Sequence, residues 1–149
     1  MSEGHLLQPG EGELHTLGPS SKATLKATAD ATAGRFFLSE CEIAPGFAGP
    51  PPHVHSELVD SFYVLEGTLT ITIGQELVEL GPGGFACALP GERHTFANRS
   101  GEIVRFLNIN APGGFEQYMR ELAAAATTGP ITSERIGEIA SRYDLRVVD

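Results

Sequence analysis

The chain has 149 residues, 41% of them hydrophobic and 19% charged, which is the size and balance of one globular domain able to bury a core without disulfide staples. Nineteen acidic against ten basic side chains leave a formal charge of −9, which repels phosphate backbones and argues against nucleic-acid binding. No basic amphipathic stretch and no long apolar run suggests a membrane. The two cysteines, Cys41 and Cys87, have neither redox nor metal-knuckle spacing and read as small core residues. The first residues lack the apolar segment of a secretory signal, so a cytoplasmic protein is expected.

Residues 1–12 read as a flexible arm. Residues 13–17 form a candidate first strand. From Lys22 to Thr28, Ala23, Leu25 and Ala27 alternate with Lys22, Thr24 and Lys26, the period of a half-buried strand. A turn is expected at residues 30–34, then a strand over 35–43 that stops at a proline- and glycine-rich stretch. Residues 58–65 and 68–73 read as a hairpin turning at Glu66-Gly67, because β-branched and aromatic residues fill both arms. Further short strands are expected at 76–80, 85–89, 94–98 and 103–109. After Gly114 the period changes: Phe115, Tyr118, Met119 and Leu122 mark an amphipathic helix, and Thr132 or Ser133 can cap a second. The expected fold is all-β, a barrel over 13–111 with residues 112–149 as a helical appendage of the same domain.

The chemistry concentrates in two stretches. His53 and His55 are two apart, so on a strand both imidazoles face one side. Asp60 opens the next strand, and by the same parity Phe62 and Val64 point inward with it while Tyr63 and Leu65 point out. His94 lies on a later strand and shares its face with Phe96 and Asn98. Three histidines and a carboxylate converging inside a barrel make a site for one divalent transition metal per chain; Fe, Mn, Ni, Cu and Zn all accept such ligands. Metal ligands are therefore expected at His53, His55, Asp60 and His94, and a substrate pocket at Phe62, Val64, Phe96 and Asn98.

These residues resemble the cupin superfamily. Its first motif, G-x5-H-x-H-x3-4-E-x6-G, is matched at His53, His55 and Gly67, with Asp60 where the motif has Glu and with the leading glycine one place early, at Gly46. Its second, G-x5-P-x-G-x2-H-x3-N, is matched at Gly83, Gly91, His94 and Asn98, with Leu89 at the proline position. The stretches Phe62–Ile71 and Pro112–Tyr118 are similar to the small single-domain group related to quercetin 2,3-dioxygenase. The resemblance implies a double-stranded β-helix (jelly roll), a bound metal, and a homodimer. It also implies a dioxygenase acting on a small enol or phenol, in which Asp60 would be ligand and catalytic base. Asp60 is one methylene shorter than the family's Glu, so it either reaches the metal or only orients a histidine. A metal-dependent isomerase and a non-catalytic binder of a small metabolite or sugar are the competing readings, since cupins host many functions.

Overall fold

A computed structural model describes residues 4–149; the first three residues of the expected arm lie outside the described residues, and residues 4–12 carry neither helix nor strand. Eleven strands and three helices follow. The strands are β1 (Glu13–Thr16), β2 (Ser21–Ala27), β3 (Phe37–Ile43), β4 (His53–Val54), β5 (Val59–Glu66), β6 (Leu69–Ile73), β7 (Glu76–Leu80), β8 (Phe85–Ala88), β9 (His94–Ala97), β10 (Val104–Ala111) and β11 (Arg146–Val147). The helices are α1 (Ala29–Thr32), α2 (Glu116–Ala126) and α3 (Ser133–Ala140). Thr132 caps α3 by accepting the Arg135 backbone N–H. Residues 30–34 hold a helical turn, α1, followed by Ala33 and Gly34 at positive φ, where a plain turn was expected.

The strands form two antiparallel sheets, one of order β1-β2-β3-β10-β5-β8 and the other β11-β4-β9-β6-β7. Alternation explains the larger sheet: Ala23, Leu25 and Ala27 of β2, Phe37, Ser39, Cys41 and Ile43 of β3, and Phe62 and Val64 of β5 all point inward and are buried. All of these except Ala27 and Ser39 join Leu69, Ile71, Val104 and Phe106 in one hydrophobic core between the sheets. Full burial of a side chain such as Phe106 contributes roughly 1.5–3 kcal/mol. A second cluster, Tyr118, Leu122, Ile136, Ile139 and Leu145, fixes α2 and α3, and Leu17, Phe115 and Met119 join the two.

The expected hairpin between β5 and β6 does not form. β5 pairs with β10 and β8, whereas β6 pairs with β7 and β9 in the other sheet. The chain crosses between sheets at Gly67, whose φ is +80° and whose added Cβ would lie 2.5 Å from the Ile103 carbonyl oxygen. The true hairpin is β6–β7, turning at Gly74-Gln75. The sheets retain free edges at β1, β8, β11 and β7, so the jelly roll is an open pair of sheets and not a closed ladder. The appendage is also not purely helical, because β11 adds an edge strand beside β4. Cys41 is buried as expected, but Cys87 pairs with Ser61 on the outward face of β8 and is only half-buried. Among the described residues no helix is long and apolar enough to cross a membrane.

Candidate metal centre

The two sheets bring the site together between them. In the smaller sheet His53 of β4 lies directly opposite His94 of β9. In the larger one Asp60 of β5 lies between Asn110 of β10 and Ala88 of β8. β4 ends at Val54, so His55 follows the strand instead of lying on it, yet its ring still turns to the same point. The glycine-proline stretch before β4 is pressed against β9: a Cβ at Gly49 would lie 1.8 Å from the Phe96 carbonyl oxygen, so only glycine allows this approach. One ligand atom from each of His53, His55, Asp60 and His94 lies within 4.8 Å of all the others, and all four residues are buried.

Each imidazole is oriented from behind. Nδ1 of His53 donates to the Pro51 carbonyl at 2.9 Å, that of His94 to the Glu92 carbonyl at 2.9 Å, and that of His55 to the Asp144 carbonyl at 2.5 Å. A carbonyl can only accept, so each Nδ1 carries the hydrogen, and each neutral ring presents an Nε2 lone pair. Those lone pairs meet Asp60 Oδ2, 2.9 Å from His94 Nε2 and 3.4 Å from His55 Nε2. His55 Nε2 is buried without a hydrogen-bond partner, its 3.4 Å approach to Asp60 being an electrostatic contact. Acceptors gathered around one point require a cation there. The spacing fits as well: bonds of about 2.1 Å at right angles separate ligand atoms by about 3 Å. The residues therefore fit a divalent metal ion.

Asp60 divides its carboxylate. Oδ2 faces the histidines, and Oδ1 accepts from the amides of Asn108 at 2.6 Å and Asn110 at 2.7 Å. Burial raises its pKa, but the adjoining His55 and His94 imidazoles outweigh burial and hold it well below the usual carboxylate range. Burial, reinforced by the neighbouring His94 imidazole, lowers His53 to about 4. For His55 burial also lowers the pKa, but the Asp60 carboxylate and the Asp144 carbonyl reverse this and raise it.

These shifts give metal affinity a pH dependence with two stages. A raised pKa means that His55 holds a competing proton already above pH ~6.5, its ordinary value. Apparent affinity should weaken by about tenfold per pH unit as pH falls through that range, one proton being displaced per ion bound. His53, lowered to about 4, adds a competing proton of its own only as pH approaches that value. Titration against a competing chelator from pH 8 to pH 4 measures this; a flat profile would show that metal and proton do not compete at His55.

The expected pocket residues are placed differently. Phe62 and Val64 are 1% and 0% exposed and pack in the core between the sheets, with half-buried Phe96 against them. The Phe62 ring lies 6.4 Å from that of His94 and 5.6 Å from Phe96. Asn98 does not face the centre: its amide donates to the Ile43 and Glu102 carbonyls and accepts from Ser100, bracing the loop before β10. Asn108, Asn110, Phe115 and Asp144 were not expected at the site. The Asn-x-Asn parity on β10 was a usable signal for the first two. The Phe115 ring stands nearly perpendicular to that of His55, their centroids 5.4 Å apart.

Comparison with known proteins agrees with this arrangement. The cupin domain family matches residues 39–110, which include the whole four-residue cluster. Quercetin 2,3-dioxygenase of Bacillus subtilis (strain 168) is 29% identical over 119 residues, covering 79% of this chain but only 34% of that protein, so the chain spans about a third of its length. Among solved structures, the polyketide cyclase RemF from Streptomyces resistomycificus is 26% identical at a TM-score of 0.60, covering 74% of this chain and 80% of that one. KdgF from Halomonas sp. shares the fold at a TM-score of 0.65 and 15% identity, over 75% of this chain and 98% of its own. Two jelly-roll sheets, a His-x-His and a distant histidine closing on one carboxylate, and a family match centred on those residues agree with one another: residues 39–110, which hold the whole cluster, match the cupin domain family.

Proposed function

We propose that this chain is a cupin and a metal-dependent enzyme of dioxygenase type, acting on a small enol or phenol with one divalent transition metal per chain at His53, His55, Asp60 and His94. The observation that carries the proposal is the convergence of three Nε2 lone pairs and one carboxylate oxygen on a buried point, with His55 Nε2 lacking any other partner. The likeness to quercetin 2,3-dioxygenase supports the reaction class. A metal bound there would act as a Lewis acid that makes a substrate hydroxyl more acidic.

The chain's own residues set the rest. Asn108 and Asn110 keep Asp60 Oδ1 occupied, so Oδ2 alone is left to hold the ion or to take the hydroxyl proton. The depressed pKa of Asp60 favours the ligand role, because such a carboxylate is a weak base until the hydroxyl is itself acidified. Phe62, Phe96 and Phe106 give the site a dry, low-dielectric floor, which strengthens every charge interaction above it. The proposed partners are a small molecule and a second copy of the chain along the free edge of β1, where Leu14 is exposed.

Oxygen consumption is the test. Protein loaded in turn with Fe, Mn, Ni, Cu and Zn is offered a flavonol and simpler enols in an oxygen electrode, and substrate-dependent uptake is expected with at least one metal. No uptake with any combination would sink the dioxygenase reading. Proton exchange alpha to a carbonyl without oxygen uptake would put a metal-dependent isomerase in its place.

A further inference from the structure

We propose that Asp144 is a positioning residue for the metal centre, and that metal binding at His55 is coupled to docking of the segment 144–148 onto the loop that carries it. The proposal rests on the metal reading above and adds a control element to it. His55 lies beyond the end of β4, so no strand ladder holds its backbone. Its carbonyl accepts the Gly91 N–H at 2.8 Å, and its ring and the three residues after it are held from residue 144. The Asp144 main-chain oxygen accepts from His55 Nδ1 at 2.5 Å. Its carboxylate collects three consecutive backbone N–H groups, Ser56 at 2.6 Å on Oδ1, and Glu57 and Leu58 at 3.0 Å each on Oδ2.

The neighbouring residues continue the contact. Arg146 and Val147 pair with Val54 and His53, and the Val148 N–H donates to the Pro52 carbonyl at 2.9 Å. The segment thus runs antiparallel along residues 52–58, behind both histidines of the His-x-His pair. Phe115 closes the other side of the His55 ring.

The coupling has a direct physical route. A cation on Nε2 withdraws electron density from the ring, which makes Nδ1–H a stronger donor to the Asp144 oxygen. Docking therefore favours metal, and by thermodynamic reciprocity metal favours docking by the same factor. The carboxylate contributes by fixing residue 144 against the loop: without it, the carbonyl is free to drift, the His55 ring can rotate or change tautomer, and the Nε2 lone pair leaves the centre.

The probe is Co(II) alone, titrated into the full chain and followed by its visible ligand-field bands. Asp144→Ala should weaken Co(II) binding by about 10–100-fold, the usual range for residues that orient a ligating histidine, and should change the band shape as His55 departs from the ion. Asp144→Asn keeps one side-chain acceptor and the main-chain carbonyl, and should recover much of both. In the wild-type protein, Co(II) should slow hydrogen exchange at the amides of residues 56, 57, 58 and 148, a measurement that needs no variant to fold. Wild-type affinity and spectrum in a folded Asp144→Ala, or exchange at those amides that is indifferent to Co(II), overturns the coupling and leaves the metal site standing. Failure of the wild-type protein to take up Co(II), with exchange unchanged, overturns the metal reading and this inference together.

Discussion

Alanine at both His53 and His94 is expected to abolish metal binding, from about one equivalent per chain to below about a tenth after dialysis. The two residues face each other across β4 and β9, so the pair removes everything the smaller sheet's ladder contributes. What remains is Asp60 and His55, a carboxylate oxygen and one imidazole 3.4 Å apart, too few ligands to displace the water of a divalent ion. Elemental analysis alongside circular dichroism checks the result, the second measurement confirming that the sheets are still formed. A folded double variant with full metal content would show that the ion is held elsewhere.

Loss of Asp60 should have the next largest effect, and it reaches stability as well as metal. Asp60→Ala leaves the Asn108 and Asn110 amides facing a void and removes the only anion from a buried cluster of imidazoles. Leaving a buried amide donor without its acceptor costs about 1–3 kcal/mol for each group. For a chain of this size that lowers the melting temperature by on the order of 10 °C. Asp60→Asn separates the causes. It keeps volume and an acceptor for the two amides, so it should retain most of the stability while losing metal affinity with the charge. Asp60→Glu restores the family's residue but is expected to bind metal less well than the wild type. Oδ2 already reaches 2.9 Å from His94 Nε2, so a further methylene overpacks a filled space at a cost of about 1–3 kcal/mol. Calorimetry with and without metal distinguishes these outcomes; an Asp60→Ala protein as stable as the wild type would mean that the carboxylate is not holding the cluster together.

Most of the centre was legible because its members obey parity and fixed spacing. His53 and His55 two apart, Asp60 in phase with Phe62, and His94 at a recurring motif position all follow from local rules. The departures have a common cause, which is pairing between distant segments. The β5–β6 hairpin failed because two strand-like runs and a glycine turn specify strands but not which sheet each joins; the close backbone approach at Gly67 settles that, and it depends on Ile103. β11 is two residues long and has no period to detect. Asp144 acts on residues 56–58, more than eighty positions away. Asn98 was misplaced for another reason: it occupies a motif position, but its amide is taken up by the 98–102 loop.

The irregularity in β5 has a bearing on how this chain tolerates changes in length. Arg105 pairs with Glu66 but Phe106 pairs with Val64, so Leu65 is an extra residue in the ladder. That one surplus residue brings the even-numbered side chains of β10 into phase with those of β5, and so sets Asn108 and Asn110 against the Asp60 carboxylate. Insertions or deletions arising in the crossover beyond Leu65 are absorbed at a place where the ladder is already broken. A single residue gained or lost between Asp60 and Val64 has no such refuge: it would turn the carboxylate toward solvent and bring Ser61 or Tyr63 inside. Lineages of this chain should therefore differ in length on the far side of Leu65 and keep the count from Asp60 to Val64 unchanged.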